Sequence, residues 1–131
     1  MALIMVVDDS PEIVLLIKDL LITRGHQVIT AYDGVEMIEK AKNLHPHLII
    51  ADLMMPGTYG SAAYKTLQDD PNTAKIPIVF LTAVPPDQAR RIVPVSSQVR
   101  LLFKPLDAAA MMAAVAALLG DTDATHAPPQ K

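Results

Sequence analysis

Several residues that can take part in chemistry come directly after short apolar runs of this sequence. Four runs end in this way: Asp8 and Asp9 follow residues 2–7, Asp52 follows 48–51, Thr82 follows 76–81, and Lys104 follows 99–103. The set contains carboxylates, a hydroxyl and an ammonium. Such a set suits phosphoryl transfer, because a carboxylate can attack phosphorus while the other groups stabilise charge on its oxygens.

The apolar runs are typical of strands buried on both faces of a parallel sheet, because they are short and rich in Val, Ile and Leu. The predicted strands are Ala2–Val7, Gln27–Ala31, Leu48–Ala51, Ile76–Leu81 and Val99–Phe103. Gln27–Ala31 is more polar than the others, which fits a strand at the edge of the sheet.

Segments with helical periodicity lie between the predicted strands. The first begins at Ser10-Pro11, a capping hydroxyl followed by a proline at the first helical position, and Gly25 ends it. The other helices are expected at about Gly34 to Asn43, Tyr59 to Gln68, Asp87 to Val93 and Asp107 to Leu119.

The alternation of strands and helices predicts an α/β fold of three layers with right-handed crossovers. We expect the flavodoxin-like doubly wound architecture, a five-stranded parallel sheet of order 2-1-3-4-5 with five helices. Residues 1–119 would form this one domain. Residues 120–131, which include Ala127-Pro128-Pro129, are expected to be a flexible C-terminal tail or linker.

The carboxyl ends of parallel strands meet at one edge of such a sheet, where ligands usually bind. Asp8, Asp9 and Asp52 should therefore share a pocket, and three carboxylates repel one another unless cations compensate them. Lys104 supplies one positive charge, and oxygen ligands without His or Cys favour Mg²⁺ for the rest. Taken singly, each residue has a plainer role as a helix cap, a turn residue or a solvated charge.

Composition excludes some classes of function. The net charge of −3 gives no reason to expect direct nucleic-acid binding. The chain has no cysteine, which fits a cytoplasmic protein. Its longest apolar run, 108–119, is too short for membrane insertion, which needs about 20 residues.

The sequence resembles the receiver domain of response regulators in two-component signalling, over residues 2 to about 119. The motifs that carry the resemblance are Val6-Val7-Asp8-Asp9-Ser10, Asp52-Leu53-Met54-Met55-Pro56-Gly57 with Gly60, Phe80-Leu81-Thr82-Ala83, and Lys104-Pro105.

The resemblance implies a role for each residue. Asp52 would accept a phosphoryl group from the phosphohistidine of a sensor histidine kinase or phosphotransfer protein. Asp9, Asp52 and the backbone carbonyl of Met54 would bind Mg²⁺, with Asp8 acting through water. Thr82 and Lys104 would contact the phosphoryl group, and the Lys104-Pro105 bond would be cis. The domain would be a signalling module that assists its own phosphorylation, not an enzyme acting on other substrates.

Two positions depart from the family pattern, Leu101 and Tyr59, where an acidic residue is common, and two further positions bear on the lifetime of the phosphoryl group. Receivers usually carry Tyr or Phe three residues before the lysine, where this sequence has Leu101, and Phe103 does not occupy that position. The coupled movement of threonine and aromatic ring is therefore expected to be altered. Met54 and Val84 flank the path of attacking water in the resemblance and cannot orient a water, so slow loss of the phosphoryl group is expected.

The last predicted helix carries no charged or hydrogen-bonding side chain over residues 108–119. Its stripe of Met111, Met112, Val115, Leu118 and Leu119 is typical of a core face, and its other face is alanine. In the resemblance, the surface of helix 4, strand 5 and helix 5 contacts partners or forms a homodimer. Arg90, Arg91 and Arg100 lie near this surface. The four histidines show no ligand-like spacing.

Three other functions remain open. A phosphohydrolase of the haloacid dehalogenase type would need Asp-x-Asp after the first strand and a cap insertion, whereas Asp8 and Asp9 are adjacent. A flavodoxin-like cofactor binder would need a loop rich in glycine and hydroxyl groups at that point. A degenerate receiver that acts only as a docking surface is favoured by Leu101 alone.

Overall fold

The computed structural model describes residues 1–55 and 58–123 of the 131-residue chain. The described residues form seven strands and five helices, in an order close to the predicted one. The elements are β1 (Leu3–Val7), α1 (Pro11–Thr23), β2 (Gln27–Ala31), α2 (Gly34–Leu44), β3 (Leu48–Asp52), β4 (Met54–Met55), β5 (Thr58–Tyr59), α3 (Gly60–Gln68), β6 (Ile78–Thr82), α4 (Pro86–Ile92), β7 (Val99–Phe103) and α5 (Ala108–Asp123).

Five of the strands form one parallel sheet in the order β2-β1-β3-β6-β7. This is the predicted order 2-1-3-4-5 when the five strands of the sheet are counted along the chain, so the flavodoxin-like doubly wound fold is confirmed. The order makes β1 and β3 neighbours, and it pairs Val7 with Ala51 directly before the acidic residues that follow. The strand order therefore determines which polar residues meet at the edge.

The core has two halves, one on each face of the sheet, because successive side chains of a strand point to opposite faces. Ile4 and Val6 of β1 pack with α1 and α5, whereas Met5 and Val7 pack with α2, α3 and α4. On the first face, Met111 and Val115 of α5 are buried, and Met112, Leu118 and Leu119 are partly buried against the same cluster. The stripe predicted for the last helix is thus a core face.

The boundaries of α1 follow the predicted signals. Ser10 has extended backbone and its hydroxyl accepts a hydrogen bond from the Ile13 amide at 3.5 Å, ahead of Pro11 at the start of the helix. Gly25 follows the helix with a φ of 88°, a left-handed conformation that costs glycine little.

Two segments differ from the sequence prediction. The stretch after Asp52, expected as a loop, contains the short antiparallel pair β4–β5, in which Met54 pairs with Tyr59. The last helix, expected to end at Leu119, continues to Asp123, since Gly120 lies in a helix with open space around it and does not interrupt the backbone ladder. The predicted tail over 120–131 is therefore helical at its beginning. Its remainder, 124–131 with Ala127-Pro128-Pro129, and the motif residues Pro56-Gly57 lie outside the described residues.

None of the helices in the described part of the chain combines the length and apolar character needed to cross a membrane.

Candidate functional site

Three carboxylates meet at the carboxyl edge of the sheet. Asp52 is the last residue of β3, and Asp8 and Asp9 follow β1. One oxygen of each carboxylate lies within 4.8 Å of the others. Asp8 is 2% exposed and Asp52 8% exposed, whereas Asp9 faces solvent. The neighbouring positions of β1 and β3 thus bring together the three acids that the sequence analysis singled out.

Lys104 lies between the two buried acids. Its Nζ is 3.2 Å from Oδ2 of Asp52 and 3.3 Å from Oδ2 of Asp8. Lys104 directly follows β7, which is two strands away from β3, so the side chain crosses above the end of β6 to reach both acids. The peptide bond from Lys104 to Pro105 is cis, as predicted.

Backbone amides hold the second oxygen of each buried acid. The amide of Ser10 donates to Oδ1 of Asp8 at 2.9 Å, and the amide of Met54 donates to Oδ1 of Asp52 at 3.1 Å. Each carboxylate therefore has one oxygen fixed by its own turn and the other directed to Lys104. Such fixed carboxylates need little rearrangement before they react or bind a cation.

Thr82 is fully buried at the end of β6, on the same edge. Its hydroxyl accepts a hydrogen bond from the Val84 amide at 3.0 Å, and its carbonyl accepts one from the Lys104 amide at 2.8 Å. Within the described residues it makes no hydrogen bond to Asp52. Thr82 thus borders the acidic cluster, while its hydroxyl is engaged by its own turn.

Burial and charge shift the pKa values of two of these groups in the same direction. Desolvation by burial raises the pKa of Asp8, and the negative charge of Asp52 adds to this, although the Ser10 amide and Lys104 oppose it. Burial of the ammonium lowers the pKa of Lys104, but the attraction of Asp52 and Asp8 outweighs this and raises it overall. The charged form of Asp8 is therefore disfavoured, and that of Lys104 is stabilised.

The donor set fits a hard divalent cation. Three carboxylates face one ammonium, so the cluster keeps an excess of negative charge when all three acids are ionised. The cluster offers only carboxylate oxygens as ligands and contains no histidine or cysteine, which favours Mg²⁺ over transition metals. His26 and His47 have other roles, since their Nδ1 atoms accept hydrogen bonds from the amides of Ala2 and Leu3 at the start of β1.

Gly60 is a residue of the site whose role the sequence analysis missed. It begins α3, and its amide donates to the carbonyl of Leu53 at 2.7 Å. A Cβ at this position would overlap the backbone carbonyl oxygen of Asp52 and lie 3.2 Å from Cε1 of Phe80. Only glycine lets α3 approach the turn after β3 this closely. Gly60 is part of the motif that follows Asp52 in the sequence, but its close approach to the Asp52 carbonyl depends on the tertiary structure.

The strand β7 carries Leu101 and Phe103, the two positions considered above for the coupled movement of a threonine and an aromatic ring. Leu101 and Phe103 are partly buried on the same face of the sheet, and Phe103 pairs in register with Thr82. The guanidinium of Arg90 lies 5.8 Å from the centre of the Phe103 ring, within the range of a cation–π contact. An aromatic ring is thus present beside Thr82, one strand over, although it is not at the position of Leu101.

Comparison with known proteins identifies the family. A family profile described as the response regulator receiver domain matches residues 4–116. The DNA-binding dual master transcriptional regulator RpaA of Synechocystis sp. is 38% identical over 120 residues, which cover 92% of this chain and 50% of RpaA. The chain thus spans half the length of this relative.

Solved structures agree in fold. The chemotaxis response regulator CheY4 of Vibrio cholerae has a TM-score of 0.80 at 28% identity, covering 91% of this chain and 99% of that one. The response regulator TrrA of Thermotoga maritima, solved in complex with Mg(2+)-BeF, has a TM-score of 0.76 at 27% identity, covering 91% of this chain and 100% of that one.

Substitution of Gly60 tests the close approach of α3 to the turn after Asp52. We expect Gly60→Ala to lower the free energy of unfolding by about 2 kcal/mol, because backbone must shift to admit the methyl group. Urea denaturation measures this change. Gly120→Ala is the matched control, since nothing lies within 4 Å of that position and alanine favours a helix. Equal stability of the two variants would contradict the expected contact.

Substitution of Asp8 tests its unfavourable charge. Because the folded-state pKa of Asp8 is raised, its ionisation lowers stability as pH rises above the unfolded value of about 3.8. We expect Asp8→Asn to be more stable than the wild type by about 1 kcal/mol at pH 7 without divalent metal, and the gain to disappear near pH 4. Lys104 keeps Asp52 as a partner in this variant.

Denaturation of both proteins from pH 4 to pH 7 in EDTA measures the pH dependence of this gain. Asp19→Asn, which changes an exposed carboxylate of α1, is the control and should show no such trend. A loss of stability in Asp8→Asn that grows with pH would contradict the stated cause.

Proposed function

This chain belongs to the response regulator receiver domain family of two-component signalling, and we propose that Asp52 is its phosphoacceptor. The observation that carries the proposal is the position of Lys104, whose ammonium bridges Asp52 and Asp8 at 3.2 and 3.3 Å. Of the two bridged acids, Asp52 ends its strand and is the more exposed. It is therefore the better placed to meet a phosphoryl donor.

In the proposed reaction, the Oδ2 oxygen of Asp52 attacks the phosphorus of a phosphohistidine. A bond forms between oxygen and phosphorus as the bond between phosphorus and the imidazole nitrogen breaks, and the leaving nitrogen keeps the electron pair. The product is an acyl phosphate on Asp52. Attack of water on phosphorus later releases inorganic phosphate and restores the carboxylate.

Lys104 and Thr82 have separate roles in this proposal. The raised pKa of Lys104 keeps its ammonium charged. The ammonium can therefore stabilise the negative charge of the carboxylate before the reaction and that of the phosphoryl oxygens after it. The Thr82 hydroxyl would exchange its bond from the Val84 amide for a bond that it donates to a phosphoryl oxygen. This change would alter the turn after β6.

Mg²⁺ would be held by Asp9, Asp52 and the backbone carbonyl of Met54, with Asp8 acting through water, and it would neutralise the charge that develops on the phosphoryl oxygens. The excess of negative charge in the cluster and its oxygen donors support this assignment. The complex of TrrA with Mg(2+)-BeF supports it in a member of the same family.

Phosphorylation would be read out at the surface formed by α4, β7 and α5, where this chain would meet a partner protein or a second copy. Arg90 and Arg91 are exposed there, and neither forms an ion pair within the described residues. The outer positions of α5 are exposed alanines, which allow close contact. A cytoplasmic location and a sensor histidine kinase or phosphotransfer protein as donor complete the proposal.

The alternative functions have less support. The described residues form a five-stranded sheet with its helices and the short β4–β5 pair, and they contain no inserted cap such as the phosphohydrolase would need. In the absence of metal, the two acids after β1, Asp8 and Asp9, would repel a phosphate-bearing cofactor. A role as a docking surface alone would not require the contacts of Lys104 with two buried acids.

Labelling with a small phosphodonor tests the acceptor. Incubation with acetyl phosphate and Mg²⁺ should add one phosphoryl group to the intact protein by mass spectrometry, and EDTA should prevent it. Asp52→Asn should abolish the addition, because the amide is not a nucleophile of comparable strength.

Asp87→Asn, which changes an exposed acid of α4, is the control and should be labelled like the wild type. Absence of labelling in the wild type would favour the docking-only function. Repeated turnover of small phosphate esters would favour a hydrolase.

The lifetime of the acyl phosphate tests the effect of two apolar side chains. Met54 is 43% exposed beside Asp52, and Val84 is partly buried after Thr82, so neither can orient an attacking water. We expect slow loss of the phosphoryl group, and at least about tenfold faster loss in the double variant Met54→Asn, Val84→Glu.

The time course of the phosphorylated mass in excess EDTA measures this rate. Leu44→Asn, an exposed change at the end of α2, should leave it unaltered. A wild-type rate equal to that of the double variant would show that these side chains do not limit the reaction.

A further inference from the structure

Phe103 is the neighbour of Thr82 on the adjacent strand of the sheet. The two residues pair in register at the ends of β6 and β7, and the Lys104 amide donates to the Thr82 carbonyl at 2.8 Å. Register partners on parallel strands point to the same face of a sheet, with the strands about 4.8 Å apart. The Phe103 side chain therefore lies next to the hydroxyl that is proposed above to contact the phosphoryl group.

Arg90 of α4 contacts the ring of Phe103 from the other side of the helix–sheet boundary. Its guanidinium carbon is 5.8 Å from the ring centre, within the range of a cation–π contact. Thr82 is fully buried, Phe103 is partly buried and Arg90 is exposed. These three side chains are thus consecutive neighbours from the interior of the site to the surface of the protein.

The helix α4 is held on the sheet by a small apolar face. Ala89 is its one buried residue and Ile92 is partly buried, whereas its other residues are exposed. The residue before the helix is Pro85, whose side chain offers no hydrogen bond to the first turn. Elements with few buried apolar contacts move at low cost. A single contact between Arg90 and Phe103 can therefore influence where α4 lies.

One short turn joins Thr82 to the start of α4. The Thr82 hydroxyl accepts a hydrogen bond from the Val84 amide at 3.0 Å, and α4 begins at Pro86. When the hydroxyl turns to donate to a phosphoryl oxygen, the Val84 amide loses its acceptor and the turn must rearrange. The strand ladder keeps Phe103 in place while α4 follows the turn. The rearrangement therefore separates Arg90 from the ring.

We propose that the contact of Arg90 with Phe103 is a restraint that holds α4 in its unphosphorylated position and is released when Thr82 turns to the phosphoryl group. This inference rests on the proposed phosphorylation of Asp52. It assigns to Phe103 a coupling role in a chain that has leucine at position 101. A restraint that exists only in the unphosphorylated form opposes phosphorylation by its own free energy, because coupling between two sites is reciprocal.

Titration with beryllofluoride at a fixed Mg²⁺ concentration tests the restraint, since this anion mimics a phosphoryl group on Asp52. Amide signals of the ¹⁵N-labelled protein give its Kd. We expect Arg90→Gln to bind beryllofluoride about two- to fivefold more tightly than the wild type, the factor that corresponds to a cation–π contact at an exposed site.

Charge alone predicts the opposite result, because removing a cation weakens the binding of an anion. Tighter binding by Arg90→Gln therefore identifies the lost contact. Arg91→Gln, which removes the same charge from the next residue of α4, is the matched comparison and should bind beryllofluoride no more tightly than the wild type.

A double-mutant cycle assigns the effect to this pair of residues. Phe103→Leu removes the ring and keeps an apolar side chain on β7. In the Phe103→Leu background, Arg90→Gln should change the affinity for beryllofluoride no further, because the partner of the guanidinium is already absent. Urea denaturation of each variant without beryllofluoride shows that the proteins compared are folded.

The ring of Phe103 reports the release directly. The chain contains two phenylalanines, so ring-labelled protein gives two sets of signals, and Phe103→Leu identifies those of Phe103. We expect Arg90→Gln to shift the Phe103 ring signals in the free protein and to leave them unchanged when beryllofluoride is bound.

Several results would overturn this inference. These are equal or weaker binding by Arg90→Gln, an equal gain in Arg91→Gln, a further gain in the Phe103→Leu background, and a ring shift in Arg90→Gln that persists with beryllofluoride. A wild type that binds beryllofluoride without these effects removes the restraint and leaves Asp52 as the acceptor. A wild type that neither binds beryllofluoride nor is labelled by acetyl phosphate overturns the proposed function and this inference together.

Discussion

The interaction on which the rest of this structure depends is the sharing of one ammonium by two buried carboxylates. Asp8 and Asp52 are nearly excluded from solvent, and Lys104 reaches an oxygen of each. Removing the charge of Lys104 would leave both carboxylates without compensation, so the two acids depend on the same ammonium. With Asp9 beside it, this group of side chains has more negative than positive charge, which makes the site receptive to cations.

The strand order of the sheet brings these three side chains together. The two acids come from adjacent strands, β1 and β3, while Lys104 arrives from β7 at the far edge. Parallel strands end at the same edge, so residues far apart in sequence meet without any long polar loop. The apolar strands themselves contribute the rigidity, because each is packed on both faces and holds the turn that follows it. The turn amides then fix the carboxylate oxygens that Lys104 does not reach.

Local patterns predicted the fold and which polar side chains meet at the carboxyl edge of the sheet. Apolar runs predicted the five strands of the sheet, and the Ser10-Pro11 and Gly25 signals predicted α1. What the sequence could not supply were contacts between distant elements. The approach of Gly60 to the carbonyl of Asp52 depends on how α3 packs, and the β4–β5 pair is too short to leave a periodic pattern. The continuation of α5 past Gly120 reflects a helix of alanines that one glycine does not interrupt.

The helix α3 packs against both the turn after β3 and the strand β6. Its first residue, Gly60, touches the backbone of Asp52 and lies near Phe80, and one turn later Tyr64 packs edge-on against the same phenylalanine. Phe80 lies on β6, two residues before Thr82. A displacement of α3 at the turn after Asp52 would therefore act on the ring of Phe80, which lies on the strand that ends at Thr82. Because packed cores tend to switch between discrete arrangements, such a shared contact can couple sites without a polar relay. If Asp52 is phosphorylated as proposed, this packing through Phe80 offers a contact between α3 and β6 that does not need an aromatic residue in place of Leu101.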